Sequence, residues 1–188
     1  MAERLVILSD MWGAKKGLWI TSYLGYLQQY FDIVFYDSFK LSDISPINYT
    51  AENIGRTLKN GGIDTAVAQL LRKEKEESHY LTFCAGGTIA WKAALAGLPI
   101  KSLMAISPLD LHLETEKPDC KISLLYGEIQ EDRPNREWAT ELDVDMEIMP
   151  KFGRELYSDD KIIQKVCLDL LESYLKNELS FKKRPLVS

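Results

Sequence analysis

Tyr80-Leu81-Thr82-Phe83-Cys84-Ala85-Gly86-Gly87-Thr88 contains the junction from which the fold of this chain follows. Its first four residues are apolar or β-branched and predict a buried strand. The alanine-rich residues 88–96 predict a helix, and Gly86 and Gly87 allow that helix to lie close to the strand. A sharp turn between a strand and a helix holds out one side chain, which here is the thiol of Cys84.

The position of Cys84 leaves two interpretations open. A helix N-terminus carries a partial positive charge and free N–H groups, and both favour the thiolate, the nucleophilic form of cysteine. A cysteine at the end of a strand is also compatible with a small apolar side chain packed in the core. The local pattern alone does not decide between a nucleophile and a core residue.

The composition is that of a soluble globular domain. The 188 residues suffice for a single domain, residues 1–188, with a sizeable core. The 28 acidic and 23 basic residues give a net charge of -5, which argues against nucleic acid as a partner. The three cysteines show neither disulfide nor zinc spacing, and the N-terminal apolar run is too short for a signal peptide or a membrane span. We therefore expect a cytoplasmic protein with no metal, no cofactor and no membrane partner.

Short apolar segments alternate with helical segments along the chain. The continuous apolar run at residues 5–8 is typical of a strand buried on both faces. The alternation favours a three-layer α/β/α sandwich with a mostly parallel sheet of about six strands. The further strands are predicted at residues 33–36, 80–83, 103–106, 122–126 and 144–149.

The remaining segments are predicted as helices and loops. Residues 37–49 are predicted to be a loop, and the charged run at residues 72–77 is predicted to be the solvated end of a helix. The last helix begins near Ile162 and carries Cys167 on its apolar, core-facing side. Residues 177–188 are predicted to form a loose, basic tail.

Ligands in open parallel sheets bind beyond the carboxyl ends of the strands. Cys84 lies at such an end, as do residues 10–13, 107–112 and 127–132. The candidate site is therefore expected where these segments meet.

The order of these elements and the turn at Cys84 resemble the α/β-hydrolase superfamily over nearly the whole chain. That superfamily holds its nucleophile in a strand–turn–helix elbow with the pattern G-x-S-x-G, and here Thr82 replaces the first glycine and Cys84 the serine. Full members often begin with two more strands, and only about fifteen residues separate the fourth and fifth predicted strands here. The resemblance implies a hydrolase fold trimmed to its later six strands and lacking a cap domain.

Within that superfamily, two motifs resemble dienelactone hydrolases. Phe83-Cys84-Ala85-Gly86-Gly87 matches five of the six positions of their G-[FY]-C-x-G-G elbow. Asp10-Met11-Trp12-Gly13 matches the order of a second motif, with Asp in place of the family's Glu. The resemblance implies that Cys84 attacks an ester or thioester carbonyl, that the N–H groups of Met11 and Ala85 form the oxyanion hole, and that Asp10 poises the thiol.

The chain departs from the family at the other two triad positions. The acid position is occupied by Gln130, and the adjacent Glu131 or Asp132 could take its role after a small shift. Arg154 occupies the position of the triad histidine. The pKa of arginine is above about 12, so the side chain stays protonated and does not act as a base near neutral pH.

Two histidines are present in the sequence. His79 opens the Tyr80 strand, which predicts a surface position at the end of the sheet far from Cys84. His112 follows the fourth strand, on the correct rim of the sheet, and is the candidate base.

Three functions remain open from the sequence. The first is a hydrolase of small esters, lactones or thioesters, with an atypical or degraded triad of Cys84, His112 and Asp132. The second is a non-catalytic hydrolase-fold protein in which Trp12 and Arg154 bind a small carbonyl or carboxylate ligand, or one that binds a protein partner. The third is a redox-active thiol at Cys84. A homodimer also remains open.

Overall fold

The sheet is open, and all its strands run parallel. The structure is a computed structural model that describes residues 2–182, and the side chains of residues 2–176. The strand order is β2-β1-β3-β4-β5-β6. The strands are β1 Glu3–Leu8, β2 Phe31–Tyr36, β3 Ser78–Phe83, β4 Ile100–Ile106, β5 Lys121–Gly127 and β6 Asp145–Met149. The six strands confirm the fold class predicted from the sequence.

Helices lie in four of the five connections between successive strands, and the connection from β4 to β5 contains only a short 3₁₀ turn. α1 packs against α7, and α4 packs against α5. A π-helical turn, Leu58–Gly62, joins the third and fourth helices, and short 3₁₀ turns cover Gly13–Lys16, Leu111–Leu113 and Arg154–Ser158. The helices are α1 Ile20–Leu27, α2 Ser38–Leu41, α3 Ala51–Thr57, α4 Ile63–Lys73, α5 Ala85–Leu95, α6 Arg136–Glu141 and α7 Asp160–Lys182.

The central strands carry the core. All six residues of β3 are buried, as the apolar content of this segment predicts for a strand covered on both faces. Leu8 pairs with Thr82, and Phe83 with Ile106, so the carboxyl ends of β1, β3 and β4 lie side by side. Loops that leave these three strands therefore meet at one edge of the sheet.

Gly86 allows α5 to lie directly against β1. A Cβ atom at this position would come within 2.5 Å of the Ser9 carbonyl oxygen and 2.8 Å of Leu8 Cβ. No side chain fits at such distances, so the glycine sets the close approach of the helix that begins at the elbow.

Five of the six residues of the charged run at 72–77 are exposed, as predicted for a solvated helix end, but Glu74 is not. α4 ends at Lys73, and Glu74 is buried with 2% of its surface exposed. Its carboxylate pairs with the Arg4 guanidinium and accepts a hydrogen bond of 2.5 Å from the Tyr36 hydroxyl. The prediction is wrong at Glu74 because partners from β1 and β2, distant in sequence, neutralise the buried charge.

The surface position predicted for His79 is also wrong. His79 opens β3 at the amino end of the strand, as expected, but only 6% of its surface is exposed. Its Nδ1 lies 2.7 Å from the Ser102 hydroxyl, and burial lowers the pKa of the imidazole. A hydrogen-bond partner on the neighbouring strand makes this burial possible.

Two further predictions concern the segments outside the sheet. The predicted loop at residues 37–49 contains α2, which begins where the Asp37 side chain accepts a hydrogen bond from the Lys40 N–H. The predicted tail, residues 177–188, overlaps the end of α7 and beyond Lys182 lies outside the described residues. Within residues 2–182, no helix combines the length and apolarity needed to cross a bilayer.

Candidate active site

Cys84 lies at a strained turn between β3 and α5. Its backbone has φ 49° and ψ -118°, a conformation that is uncommon for a residue with a side chain and occurs most often at functional positions. The Cys84 N–H donates to the Ile106 carbonyl at 2.9 Å, and its own carbonyl accepts from the Gly87 N–H at 3.0 Å. These two hydrogen bonds, one to β4 and one within the first turn of α5, stabilise the strained backbone conformation of Cys84.

Two backbone donors point at the thiol. The N–H groups of Met11, after β1, and Ala85, at the start of α5, hydrogen-bond to Cys84 and lower its pKa. They are the same two groups that the family resemblance implies for an oxyanion hole. The structure brings them together because β1 and β3 are neighbours in the sheet.

Burial is the main influence on the pKa of the Cys84 thiol. Cys84 is fully buried, and this burial raises the pKa of its thiol to about 12, although the charge of Arg154 lowers it. The Asp10 carboxylate acts in the same direction as burial. The helix N-terminus and the guanidinium favour the thiolate, whereas the loss of hydration on burial opposes it and sets the direction of the shift.

Arg154 and Asp132 form an ion pair beside the thiol. Arg154 Nη2 donates to Asp132 Oδ1 at 2.6 Å, and the same carboxylate accepts from Gln130 Nε2 at 2.9 Å and from the Asp110 N–H at 3.2 Å. Burial raises the pKa of Asp132, but the Gln130 hydrogen bond and the Arg154 charge outweigh it and hold the pKa below its ordinary value. Asp132 is therefore an oriented anion that compensates a buried cation.

The turn that carries Arg154 is fixed from both sides. A Cβ atom at Gly127 would come within 2.4 Å of the Phe152 and Gly153 carbonyl oxygens, so a glycine at the end of β5 lets residues 152–153 approach. The Tyr23 hydroxyl donates to the Tyr157 carbonyl at 2.9 Å. These contacts hold the Arg154–Ser158 turn over the carboxyl ends of the strands.

Asp10 organises the loop that contains Met11. Its Oδ1 accepts from the Trp12 N–H at 3.0 Å, and its Oδ2 accepts from the Tyr157 hydroxyl at 3.1 Å. Burial raises the pKa of Asp10 to about 6, against the lowering effect of the Tyr157 bond. Asp10 thus links the two loops on either side of the thiol.

The raised pKa of Asp10 makes stability depend on pH. Because its folded pKa lies above its unfolded value, Asp10 contributes stability that is complete below about pH 4 and lost as the pH rises through about 6. We expect Asp10→Asn, which keeps the acceptor for Trp12, to flatten the change in unfolding free energy across this window. Urea unfolding of both proteins between pH 4 and 7 measures this, and parallel pH profiles would contradict it.

His112, the candidate base, does not form a hydrogen bond with the Cys84 thiol. It is an exposed side chain, and its Nδ1 lies 3.0 Å from the Asp132 carbonyl oxygen. No hydrogen bond joins it to Cys84 within the described part of the chain. Trp12 is half-buried, and Lys16 Nζ lies 3.9 Å from the centroid of its ring.

A cavity of about 550 Å³ opens next to these groups. Met11, Asp132 and Arg154 line its inner side, and residues of α3 line its outer side. Neither Cys84 nor Trp12 lines it. A small molecule in this cavity would lie against Met11, Asp132 and Arg154.

Comparisons with solved structures identify the fold. A protein of Xanthomonas campestris pv. campestris assigned to the alpha/beta hydrolase superfamily is 16% identical, with a TM-score of 0.68 over 92% of this chain and 99% of its own. An alpha/beta hydrolase enzyme from a sediment metagenome of the Mar Chica lagoon in Morocco is 15% identical, with a TM-score of 0.63 over 95% and 93%. The chain has the α/β-hydrolase fold.

The same fold includes a Klebsiella pneumoniae protein assigned as a dienelactone hydrolase. It is 12% identical and has a TM-score of 0.63 over 91% of this chain and 85% of its own. No protein-family model and no curated protein sequence matches the chain. At these identities the similarity concerns the fold, and the chemistry depends on the residues of the site.

Tyr157 is the site residue that sequence reasoning missed. It is almost fully buried, its hydroxyl bonds Asp10, and its ring lies 4.7 Å from Trp19 and 5.6 Å from Phe83. A tyrosine three residues after Arg154 gives no sequence signal of this role.

Among the described residues, no group of His, Cys, Asp and Glu side chains is arranged to hold a metal ion.

Proposed function

We propose that this protein hydrolyses small esters, lactones or thioesters, with Cys84 as the nucleophile that accepts the acyl group. The observation that supports it most is the Cys84 thiol at a strained elbow with the Met11 and Ala85 N–H groups directed at it. An elbow with two converging donors matches what acyl transfer needs, a nucleophile and a site for the carbonyl oxygen. The similar alpha/beta hydrolase structures support the class of chemistry.

In the first step Cys84 Sγ forms a bond to the carbonyl carbon and the bond to the leaving oxygen or sulfur breaks. The thiol proton leaves with the alcohol or thiol product. The Arg154 charge favours the thiolate and thereby assists attack. Once the sulfur has bonded to the carbonyl carbon, the carbonyl oxygen replaces the sulfur as the hydrogen-bond acceptor of the Met11 and Ala85 N–H groups.

The second step, hydrolysis of the thioester, is slow in this site. Water must be activated, and the group at the base position is Arg154, which keeps its proton near neutral pH. General-base help is worth about 10²–10⁴ in rate. We therefore expect a burst of product equal to the enzyme concentration, followed by slow turnover.

Mixing the protein with p-nitrophenyl acetate tests this proposal. We expect intact-mass spectrometry to show one acetyl group on the wild type and none on Cys84→Ala, with a burst of p-nitrophenol only in the wild type. Because Cys120 is a second, half-buried free thiol, Cys120→Ser is the control for acylation elsewhere and should behave as wild type. Equal labelling of wild type and Cys84→Ala would exclude Cys84 as the nucleophile.

A second function is favoured by one observation on Arg154. Its buried Nη1 has no hydrogen-bond partner among the described residues, and a guanidinium with a free donor suits a carboxylate. The protein would then bind a small carboxylate without turning it over. Calorimetric titration with propionate, for wild type and Arg154→Gln, separates this function from acylation.

The substrate is a small molecule held in the 550 Å³ cavity beside Arg154. Cys84, Cys120 and Cys167 are all free thiols, which suits a reducing compartment such as the cytoplasm.

A further inference from the structure

β2 lies at one edge of the sheet and pairs with β1 alone. Its six residues, Phe31-Asp32-Ile33-Val34-Phe35-Tyr36, include one charged side chain and neither lysine nor proline. Proteins commonly protect an edge strand with such residues, because its free backbone groups pair readily with another chain. Apart from Asp32, β2 has no protection of this kind.

Alternate residues of β2 direct their backbone groups away from β1. The Tyr36 carbonyl accepts a hydrogen bond from the Ser9 N–H, so the backbone of Tyr36 faces β1. Successive residues of a strand face opposite edges, and the N–H and C=O groups of Ile33 and Phe35 therefore point outward. These are the donors and acceptors that a further strand would use.

The apolar side chains of β2 are incompletely covered. Ile33, Val34, Phe35 and Tyr36 are half-buried, whereas residues 5–8 of the neighbouring β1 are fully buried. A further strand beside β2 would remove part of the remaining apolar surface from water.

The opposite edge of the sheet is protected by charge. Two of the five residues of β6, Asp145 and Glu147, are exposed carboxylates. Antiparallel pairing of two copies of β6 would bring these carboxylates together, and like charges across a strand pair are destabilising. Pairing β2 of one copy with β6 of another is head-to-tail and leaves a free β2 edge at the end of the assembly. A closed contact between two β2 strands avoids both problems.

The outward backbone groups fix the register of such a contact. A two-fold axis through Val34 places Ile33 opposite Phe35 of the second copy, so that their N–H and C=O groups can exchange hydrogen bonds. The same register places Asp32 opposite Tyr36 of the second copy.

Charge complementarity favours this register. The Tyr36 hydroxyl donates to Glu74, which follows α4, so Tyr36 faces the α4 side of the sheet, and Asp32, four residues earlier, faces the same side. Lys40 and Lys73 are exposed and line a cavity of about 360 Å³ next to Tyr36. The register therefore brings the Asp32 carboxylate to the two lysines of the second copy.

These charges are available for an intermolecular contact. Within residues 2–176, no ion pair involves Asp32, Lys40 or Lys73. Asp37 lines the same cavity, but its carboxylate already accepts hydrogen bonds from the N–H groups of Ala14 and Lys40.

We propose that β2 is the interface of a homodimer, in which the β2 strands of two copies pair antiparallel about Val34 and Asp32 of each copy lies beside Lys40 and Lys73 of the other. The six strands of each copy then form one continuous sheet. This inference goes beyond the proposed function and does not depend on it, because Cys84, Asp132 and Arg154 take no part in the contact.

Sedimentation equilibrium over a range of protein concentrations tests the dimer and its register. We expect a wild-type dimer whose dissociation constant rises by about tenfold in Asp32→Lys and in Lys73→Glu, because each change removes two exposed ion pairs. The double variant Asp32→Lys with Lys73→Glu should recover the wild-type constant. Both residues are exposed, so these changes leave the fold intact.

Three results of this experiment would overturn the inference. They are a wild type that is monomeric at every concentration, single variants that dissociate no more readily than the wild type, and a loss in the single variants that the double variant does not recover.

Val34→Lys tests the position of the two-fold axis. It places two ammonium groups opposite each other across the strand pair, and we expect a monomer. Met146→Lys is the matched control, since Met146 is half-buried on the β6 edge, and it should remain dimeric.

Amide hydrogen exchange reports the strand pairing directly. We expect the N–H groups of Ile33 and Phe35 to exchange slowly in the wild type and faster in Asp32→Lys at the same protein concentration. Rapid exchange of both amides in a wild-type dimer would overturn the inference, because the dimer would then use another surface.

Discussion

Arg154→His is expected to convert the slow second step into steady turnover. The substitution places an imidazole beside Asp132, whose carboxylate is already oriented by Gln130 and the Asp110 N–H. A carboxylate that receives the Nδ1–H of histidine leaves Nε2 free to activate water. Because general-base help is worth about 10²–10⁴ in rate, we expect kcat for p-nitrophenyl acetate to rise by about that factor.

The gain in Arg154→His should also carry a pH signature. Turnover by a histidine base rises with pH through a pKa near 6.5, the ordinary value for imidazole. The wild type holds no base at this position, so its kcat should show no such step. Steady-state rates between pH 5 and 8 measure the difference.

Two matched variants make the Arg154→His result specific. Arg154→Gln removes the guanidinium without supplying a base and should show no gain in kcat. Asp132→Asn combined with Arg154→His should lose most of the gain, since the amide no longer orients the imidazole. If Arg154→His were acylated at Cys84 but turned over no faster than Arg154→Gln, the missing base would not be the reason for slow deacylation.

Glu74→Gln is expected to cause the largest loss of stability from a single charge. Glu74 is buried, and it accepts hydrogen bonds from Arg4 and from the Tyr36 hydroxyl. Removal of one partner of a buried pair leaves an uncompensated charge, which lowers the free energy of unfolding by about 3–5 kcal/mol when both groups are fully buried. Since 25% of the Arg4 side chain is exposed, water recovers part of this, and we expect a loss of about 2 kcal/mol in unfolding free energy.

Acid should produce the same loss in the wild type. Burial raises the pKa of Glu74, but its hydrogen bonds to Arg4 and Tyr36 outweigh this and hold the pKa below its ordinary value. The ionised carboxylate therefore contributes stability above about pH 4.3, its unfolded pKa, and that stability is lost as the pH falls through the lower folded value. Urea unfolding at pH 7 and pH 3 should show the wild type and Glu74→Gln converging at the lower pH.

Glu76→Gln is the control for the Glu74 experiment. Glu76 belongs to the same charged run but its side chain is exposed, so its substitution should change stability by no more than about 0.5 kcal/mol. A loss at Glu76 equal to that at Glu74 would mean that the charge of the run, rather than the buried pair, stabilises the protein.

The strands were predictable because each depends on local pattern. Residues 5–8 and 80–83 form continuous apolar runs, and both lie in the centre of the sheet with both faces covered. α2 was missed because four residues carry too little periodicity for a helix to be recognised. Glu74 and His79 were placed on the surface because their partners, Arg4 and Ser102, come from other strands.

In the candidate site too, local features were predictable and contacts between distant residues were not. A thiol at a strand–helix turn and small residues after it are visible in the sequence, because the elbow is a local structure. The ion pair of Arg154 with Asp132 and the bond from Tyr157 to Asp10 join residues 22 and 147 positions apart. No pattern in a single sequence specifies which distant side chains meet.

The amino-acid sequence by itself determined the alternation of strands and helices and the turn that carries Cys84, since both follow from apolar periodicity and small residues over a few positions. Only the tertiary structure decided how deeply the thiol is buried. Burial, a sum over all elements packed around Cys84, raises its pKa to about 12. The helix N-terminus, which the sequence shows, contributes the local Ala85 N–H, and this does not offset the loss of hydration.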